Sequence, residues 1–155
     1  MQVVTFILHE HEYAFPIEVV KEIVEMERAE PLPDAPPFFE GVHSLRGEVL
    51  PIINLRQRIG LPPAPETEDG KRKVLVAQSG GVKCGFVVDD IRQVKHLEAE
   101  LIQAPPLILE TVGDKYIDKV AKEKNEDGTA SYLVILSLDG ILDFEIGERR
   151  TAVGA

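Results

Sequence analysis

The sequence has 155 residues, 44% hydrophobic and 28% charged, with a formal net charge of −10 at pH 7. That is enough chain for one soluble globular domain, or for two small lobes sharing a core. The acidity argues against nucleic acid, whose binding relies on Lys and Arg neutralising phosphates, and no apolar run approaches the roughly 20 residues of a membrane helix.

The opening MQVVTFILHEHEY lacks the basic start and small-residue cleavage site of a signal peptide. The single cysteine, Cys84, leaves no internal disulfide to form, which fits a reducing cytoplasm. Along the chain the dominant hydrophobic period is two. Val3 to Leu8 reads as a strand, HEHE as a turn, and Tyr13 to Ile17 as the returning strand. Val20, Ile23 and Val24 fall at helical spacing and predict a turn or two of helix before a further strand. Pro31 to Pro37, with four prolines, is irregular. Strands are predicted over Val42 to Leu45 and Val49 to Leu55, with a turn or bulge at Arg46-Gly47, and Pro51 predicts that the second is an edge strand or bulged.

Pro62 to Gly70 reads as a solvated loop. KVLVAQ and VKCGFVVDD flank Gly80-Gly81, a strong hairpin signal. IRQVKHL is another strand, LEAELIQAPP carries a helical turn, and YIDKVAKEK and SYLVILSL form a second hairpin around NEDGTA. SLDGILDFEIG predicts a short closing helix, and residues 147–155 a flexible tail. About ten short strands with little helix make an all-β fold, a sandwich or barrels, and barrels remove exposed strand edges.

A weak repeat runs through this pattern. At an offset of 71 residues Phe15 meets Phe86, Tyr13 meets Cys84, Ile17 meets Val88, Val20 meets Ile91 and Ile23 meets Val94. At an offset of 83, Ile52 meets Ile135 and Leu55 meets Leu138. Such a repeat predicts two similar small barrels.

Chemistry-bearing residues are sparse. His9 and His11, with Glu10 or Glu12, supply too few ligands to close a metal site, and His43 and His96 add none. Cys84 lies in an apolar strand and reads as a small buried hydrophobe. Asp89 and Asp90 are neighbours on a strand, so they point to opposite faces and cannot act together as acid and base; a solvated strand end is expected. There is no calcium loop, phosphate-cradling glycine loop or serine elbow. The informative stretch is GVHSLRGEVLPIINLRQRIG, Gly41 to Gly60, where Arg46 and Arg56 each follow a leucine. If Leu45 points into the core, Arg46 points away, presented by a strand end rather than a floppy loop, as an interface anchor would be.

This twenty-residue stretch resembles the signature of the CheW family of chemotaxis coupling proteins, G-[VI]-x-N-L-R-G-x-[VI]-x-P-[VI]-x-D-L-R-x-x-x-G. FILHEHEYAFPIEVVKEIVEM, VKCGFVVDDIRQVKHL and YIDKVAKEK…SYLVILSLDGIL resemble the family's opening, middle and close, so the resemblance spans about residues 3 to 145. Ser44 stands where the family usually has Asn, Asn54 where it has Asp, and Asp118-Lys119 where a glycine is usual.

The resemblance implies a single domain over 1–150, built of two five-stranded SH3-like β-barrels on a shared hydrophobic core. The lobes would cover roughly 17–82 and 1–16 plus 83–145. It implies no enzyme activity and no cofactor, but a cytoplasmic adaptor, recruited to membrane-associated receptor arrays, that bridges the helical hairpin of a chemoreceptor to the histidine kinase CheA. Arg46 with Leu45 and Gly47, and Glu22 with Val20, match family positions implicated in receptor or kinase coupling; Val49, Ile53 and Arg56 are the residues expected at the kinase. A CheW-like scaffold of another receptor–kinase system, for surface motility or gene regulation, and a small ligand-binding barrel remain the alternatives.

Overall fold

In the computed structural model, which describes residues 1–65, 70–105 and 114–144, most of the chain is extended. The strands are β1 (Gln2–Leu8), β2 (His11–Pro16), β3 (Val20–Met26), β4 (Phe39–Leu45), β5 (Glu48–Asn54), β6 (Arg72–Ser79), β7 (Val82–Val88), β8 (Asp90–His96), β9 (Ile102–Gln103), β10 (Ile117–Lys124) and β11 (Ala130–Leu136). Two one-turn helices, α1 (Leu55–Arg58) and α2 (Leu138–Leu142), follow β5 and β11 directly. Each is capped by the preceding polar residue: the Asn54 side chain accepts from the Gln57 amide and the Ser137 side chain from the Gly140 amide.

One of the two favoured two-residue hairpin turns, type I′, needs positive φ at both central positions. Three pairs supply it: His9 and Glu10, Arg46 and Gly47, and Gly80 and Gly81. They close the hairpins β1–β2, β4–β5 and β6–β7. The helix expected around Val20 to Val24 shrinks to a single 3₁₀ turn, Ile17–Val19, and those residues lie on β3, where pairing with β6 overrides their helical spacing.

The strands form two lobes, a six-stranded sheet in the order β8-β1-β2-β11-β10-β9 and a five-stranded sheet in the order β3-β6-β7-β5-β4. β9 adds only two residues to the first. The lobe boundary lies later than residues 82 and 83. β7 stays in the five-stranded lobe, because its two-residue turn holds it to β6, and the chain crosses over at Asp89. Residues 147–155, expected as a tail, lie outside the described residues.

The repeat is written into the pairing. Each hairpin, β1–β2 or β6–β7, passes its next strand to the other lobe, so β3 pairs with β6 and β8 with β1. The registers agree at the offset of 71: Ile23 lies opposite Leu75 as Val94 lies opposite Val4. The parallel pairs Ile52 with Gly85 and Ile135 with Ala14 correspond in the same way.

Three apolar clusters result. Met26, Leu50, Ile52, Val74 and Val76 fill the five-stranded lobe, and Val3, Ala14, Ala121, Leu133 and Ile135 fill the six-stranded one. The largest lies between the lobes and draws on both: Val4, Phe6, Leu8, Tyr13, Phe15 and Leu136 from one, Ile53, Leu55, Leu75, Cys84 and Phe86 from the other. Phe15 and Phe86, matched by the repeat, pack with ring centroids 5.8 Å apart.

The place of Pro51 differs from the expectation of an edge strand. β5 is not an edge, since β4 and β7 flank it, but its ladder with β4 does shift register, between Phe39 and Gly41 opposite Ile53 and Ile52. Pro51 is tolerated because pairing with β7 starts only at Ile52, and Val42, opposite Pro51, directs its own N–H and C=O to Glu30. Close backbone approach occurs at Gly41 of β4, where a Cβ would come within 1.9 Å of the Glu30 carbonyl oxygen.

Cys84 is buried in the shared cluster, and burial pushes its thiol up to about 11. The folded protein should therefore resist a thiol-reactive dye at pH 8 and react stoichiometrically in urea. Because the folded state holds this proton more tightly than the unfolded chain, stability should also fall as pH rises from the ordinary value of 9.0 toward about 11. Rapid labelling of the native protein would contradict the burial.

Candidate protein-docking site

The β4–β5 turn aims Arg46 out of the five-stranded lobe. Its side chain is 68% exposed, and its guanidinium reaches the Glu22 carboxylate on β3. β3 and β4 are the two outer strands of that sheet, so the ion pair spans the gap between them. Arg46 donates to Glu22 Oε2, while Glu22 Oε1 is buried without a hydrogen-bond partner. Leu45 is half-buried against the lobe interior, and Gly47 supplies the second positive φ of the turn. These two place Arg46 rather than offer surface of their own. Val20 packs against the shared core at the start of β3, with Ile23 exposed further along the same strand.

The residues expected at a kinase divide. Val49 is 66% exposed at the start of β5, near the exposed Val82 of β7 and the Lys83–Glu48 ion pair of 3.1 Å. Ile53 is fully buried, because β5 turns Ile52 into its own lobe and Ile53 into the shared core. Arg56 is only 8% exposed. Its Nε donates to Asp89 Oδ1 at 2.8 Å, Nη2 to Asp89 Oδ2, and Nη1 to the Pro62 carbonyl at 3.0 Å. Donating hydrogen bonds to the Asp89 carboxylate raises the Arg56 pKa above its ordinary value. Ile53 and Arg56 are thus held inside the domain, not presented to a partner.

Asp89 is likewise no solvated strand end. It grips Arg56 and also accepts the His9 amide at 2.9 Å. Asp90 faces elsewhere and pairs with Lys73, whose hydrogen bond lowers the Asp90 pKa. The cleft beside these groups, about 690 Å³, is lined by Glu40, Asn54, Arg56, Arg72 and Asp89. Several of those groups already pair among themselves: Arg72 with Glu40, Asn54 with Glu40, and Arg56 with Asp89. Among the described residues no three His, Cys, Asp or Glu side chains could hold a metal ion, and no helix is long and apolar enough to cross a membrane. What the geometry offers is an exposed charge on a braced turn with apolar side chains nearby, which is the chemistry of docking.

A CheW-like domain profile matches residues 2–145. The chain belongs to the CheW-like domain family. It is 36% identical over 140 residues to the "Chemotaxis protein CheW" of Treponema pallidum, covering 88% of this chain and 79% of that one. It is 26% identical over 144 residues to the protein of the same description from Bacillus subtilis, covering 93% and 88%. The crystal structure of the scaffolding protein TtCheW from Thermoanaerobacter tengcongensis superposes with a TM-score of 0.79 at 26% identity, covering 93% of both chains. The family consists of non-catalytic scaffolds acting in chemotaxis, and the paired β lobes are its two-domain SH3-like fold.

The departures from the CheW signature now have places. Ser44 is exposed on β4. Asn54, in the usual Asp position, caps α1 through its oxygen and donates through Nδ2 to Glu40 at 3.1 Å, a donation a carboxylate could not make. Asp118 and Lys119 are exposed at a bulge in β10. The sequence reading missed exposed Ile23, Val94 and Tyr132 as surface residues. The repeat relates all three, since Ile23 matches Val94 at one offset and Tyr132 matches the surface candidate Val49 at the other.

The two arginines should separate cleanly by stability. Arg46→Met, losing an exposed ion pair, should lower the unfolding free energy measured in urea by less than about 1 kcal/mol. Arg56→Met leaves Asp89 without its partner and should cost on the order of 3 kcal/mol. Equal losses would contradict the assignment of one outward and one inward arginine.

Proposed function

We propose that this protein couples chemoreceptors to a CheA-type histidine kinase. It would act in the cytoplasm at membrane-associated receptor arrays, with the receptor's helical hairpin meeting the surface that carries Arg46 and Glu22. The reading is supported above all by Arg46, a guanidinium that stays solvent-exposed although a turn and an ion pair hold it in one place. Bracing lowers the entropy lost when a partner carboxylate binds, and Arg suits that task because its planar fork matches carboxylate geometry. A receptor that competes with Glu22 for the guanidinium, or shares it, makes the Arg46 contact sensitive to receptor conformation. The exposed Val49 end of the five-stranded lobe is the surface we assign to the kinase.

No bond is made or broken in this role. The scaffold shifts kinase activity only if its contacts differ between the two states of the complex, because equal affinity for both shifts nothing. Individually modest contacts suffice in an array, where linked contacts raise one another's effective concentration.

A reconstituted assay with receptor tips and a CheA-type kinase tests the reading. Arg46→Glu should melt like wild type, retain kinase binding and lose receptor-dependent control of phosphorylation. Full receptor control by Arg46→Glu would overturn it.

A further inference from the structure

Four residues of helix, α1, carry two arginines that both leave their own lobe. Arg56 reaches the crossover between the lobes. Its fork closes on Asp89, whose own amide donates to the Ile7 carbonyl at 3.0 Å and whose carboxylate accepts the His9 amide. One residue, Asp89, thereby ties α1 to the six-stranded lobe, through its amide to β1 and through its carboxylate to the β1–β2 turn. Arg58 reaches the other lobe's closing segment. Its Nε donates to the Ile141 carbonyl at 2.8 Å, Nη1 to the Tyr116 hydroxyl at 2.8 Å and Nη2 to the Asp143 carbonyl at 3.1 Å. The same guanidinium lies over the rings of Phe38, Tyr116 and Phe144, 4.7, 4.9 and 5.4 Å from their centroids.

These contacts differ in kind from the shared core. Apolar burial attracts without direction, whereas a two-pronged Arg–carboxylate pair and a planar cation stacked on rings specify both distance and angle. The internal repeat does not duplicate them. At the matching positions of α2 stand Asp139, which accepts from the Ser79 hydroxyl of β6 at 2.7 Å, and Ile141, so α2 has no arginine at either matching position.

We propose that Arg56 and Arg58 are positioning residues that set the angle between the two lobes. On the proposed function this angle sets how the receptor-facing and kinase-facing surfaces are held relative to the rest of the domain, but the angle itself is measurable without any partner.

The test is a spin–spin distance measurement between labels at Val82→Cys in the five-stranded lobe and Lys122→Cys in the six-stranded one, both exposed positions. The native thiol at Cys84 is buried and does not compete for label. With the two arginines intact the distance distribution should be narrow. Arg56→Met, Asp89→Asn and Arg58→Met should each broaden or displace it, at a temperature where amide exchange shows both lobes still protected. Lys73→Met removes an exposed, single-pronged ion pair that also joins the lobes, from β6 to Asp90 of β8, and should leave it unchanged, because such a pair fixes no angle. If Arg56→Met does not fold, Arg56→Lys keeps the charge, loses the fork and should show the same displacement. Unchanged distributions in the Arg56 and Arg58 variants, whatever their melting temperatures, would overturn the proposal and leave the coupling function untouched. Displaced distributions with receptor control intact would separate the two the other way.

Discussion

The apolar cluster between the lobes is the constraint from which the rest follows. Strands such as β5, β6 and β11 have no solvent face where they matter. Ile52, Val74 and Ile135 point into their own lobes, while Ile53, Leu75 and Leu136 point into the shared cluster. A fully buried Phe, Leu or Ile contributes about 1.5–3 kcal/mol, so a cluster fed by both lobes favours their association over their independence. The exchange of β3 and β8 between the sheets adds a covalent reason, because each sheet is incomplete without a strand that follows the other lobe's hairpin.

A body held this way can present a charge. The signature stretch uses arginine twice beside leucine, to opposite ends. Arg46 sits where the chain must turn, with nowhere to point but outward, and Glu22 across the sheet gap limits its wandering. Arg56 sits one turn past a buried strand and is drawn in by a carboxylate at the lobe crossover. A buried ion pair of this kind adds little net stability compared with apolar packing, but removing one partner is costly. Its contribution is directional, as is that of Arg58 on its aromatic bed.

The period-two pattern and the turn residues made the strands and hairpins legible, and the weak repeat anticipated a register that the pairing keeps residue for residue. Misreadings cluster where burial on two faces erases alternation. LPIINL is a nearly unbroken apolar run, the mark of a strand covered on both sides, and that property hid the burial of Ile53 and the interior place of Pro51. Arg56, Arg58 and Asp89 were opaque for another reason. Their partners lie up to 85 residues away in sequence, and no local pattern marks a charge pair that only the tertiary fold assembles. The outward arginine was legible because a turn is a local event.

The most direct measurement is urea unfolding followed at two methyl groups by NMR, Ile52 inside the five-stranded lobe and Leu133 inside the six-stranded one. If the shared core binds the lobes into one body, both resonances disappear with the same midpoint and slope. Separate midpoints, one lobe persisting while the other melts, would show two independent barrels and contradict the claim that the core between them governs the structure.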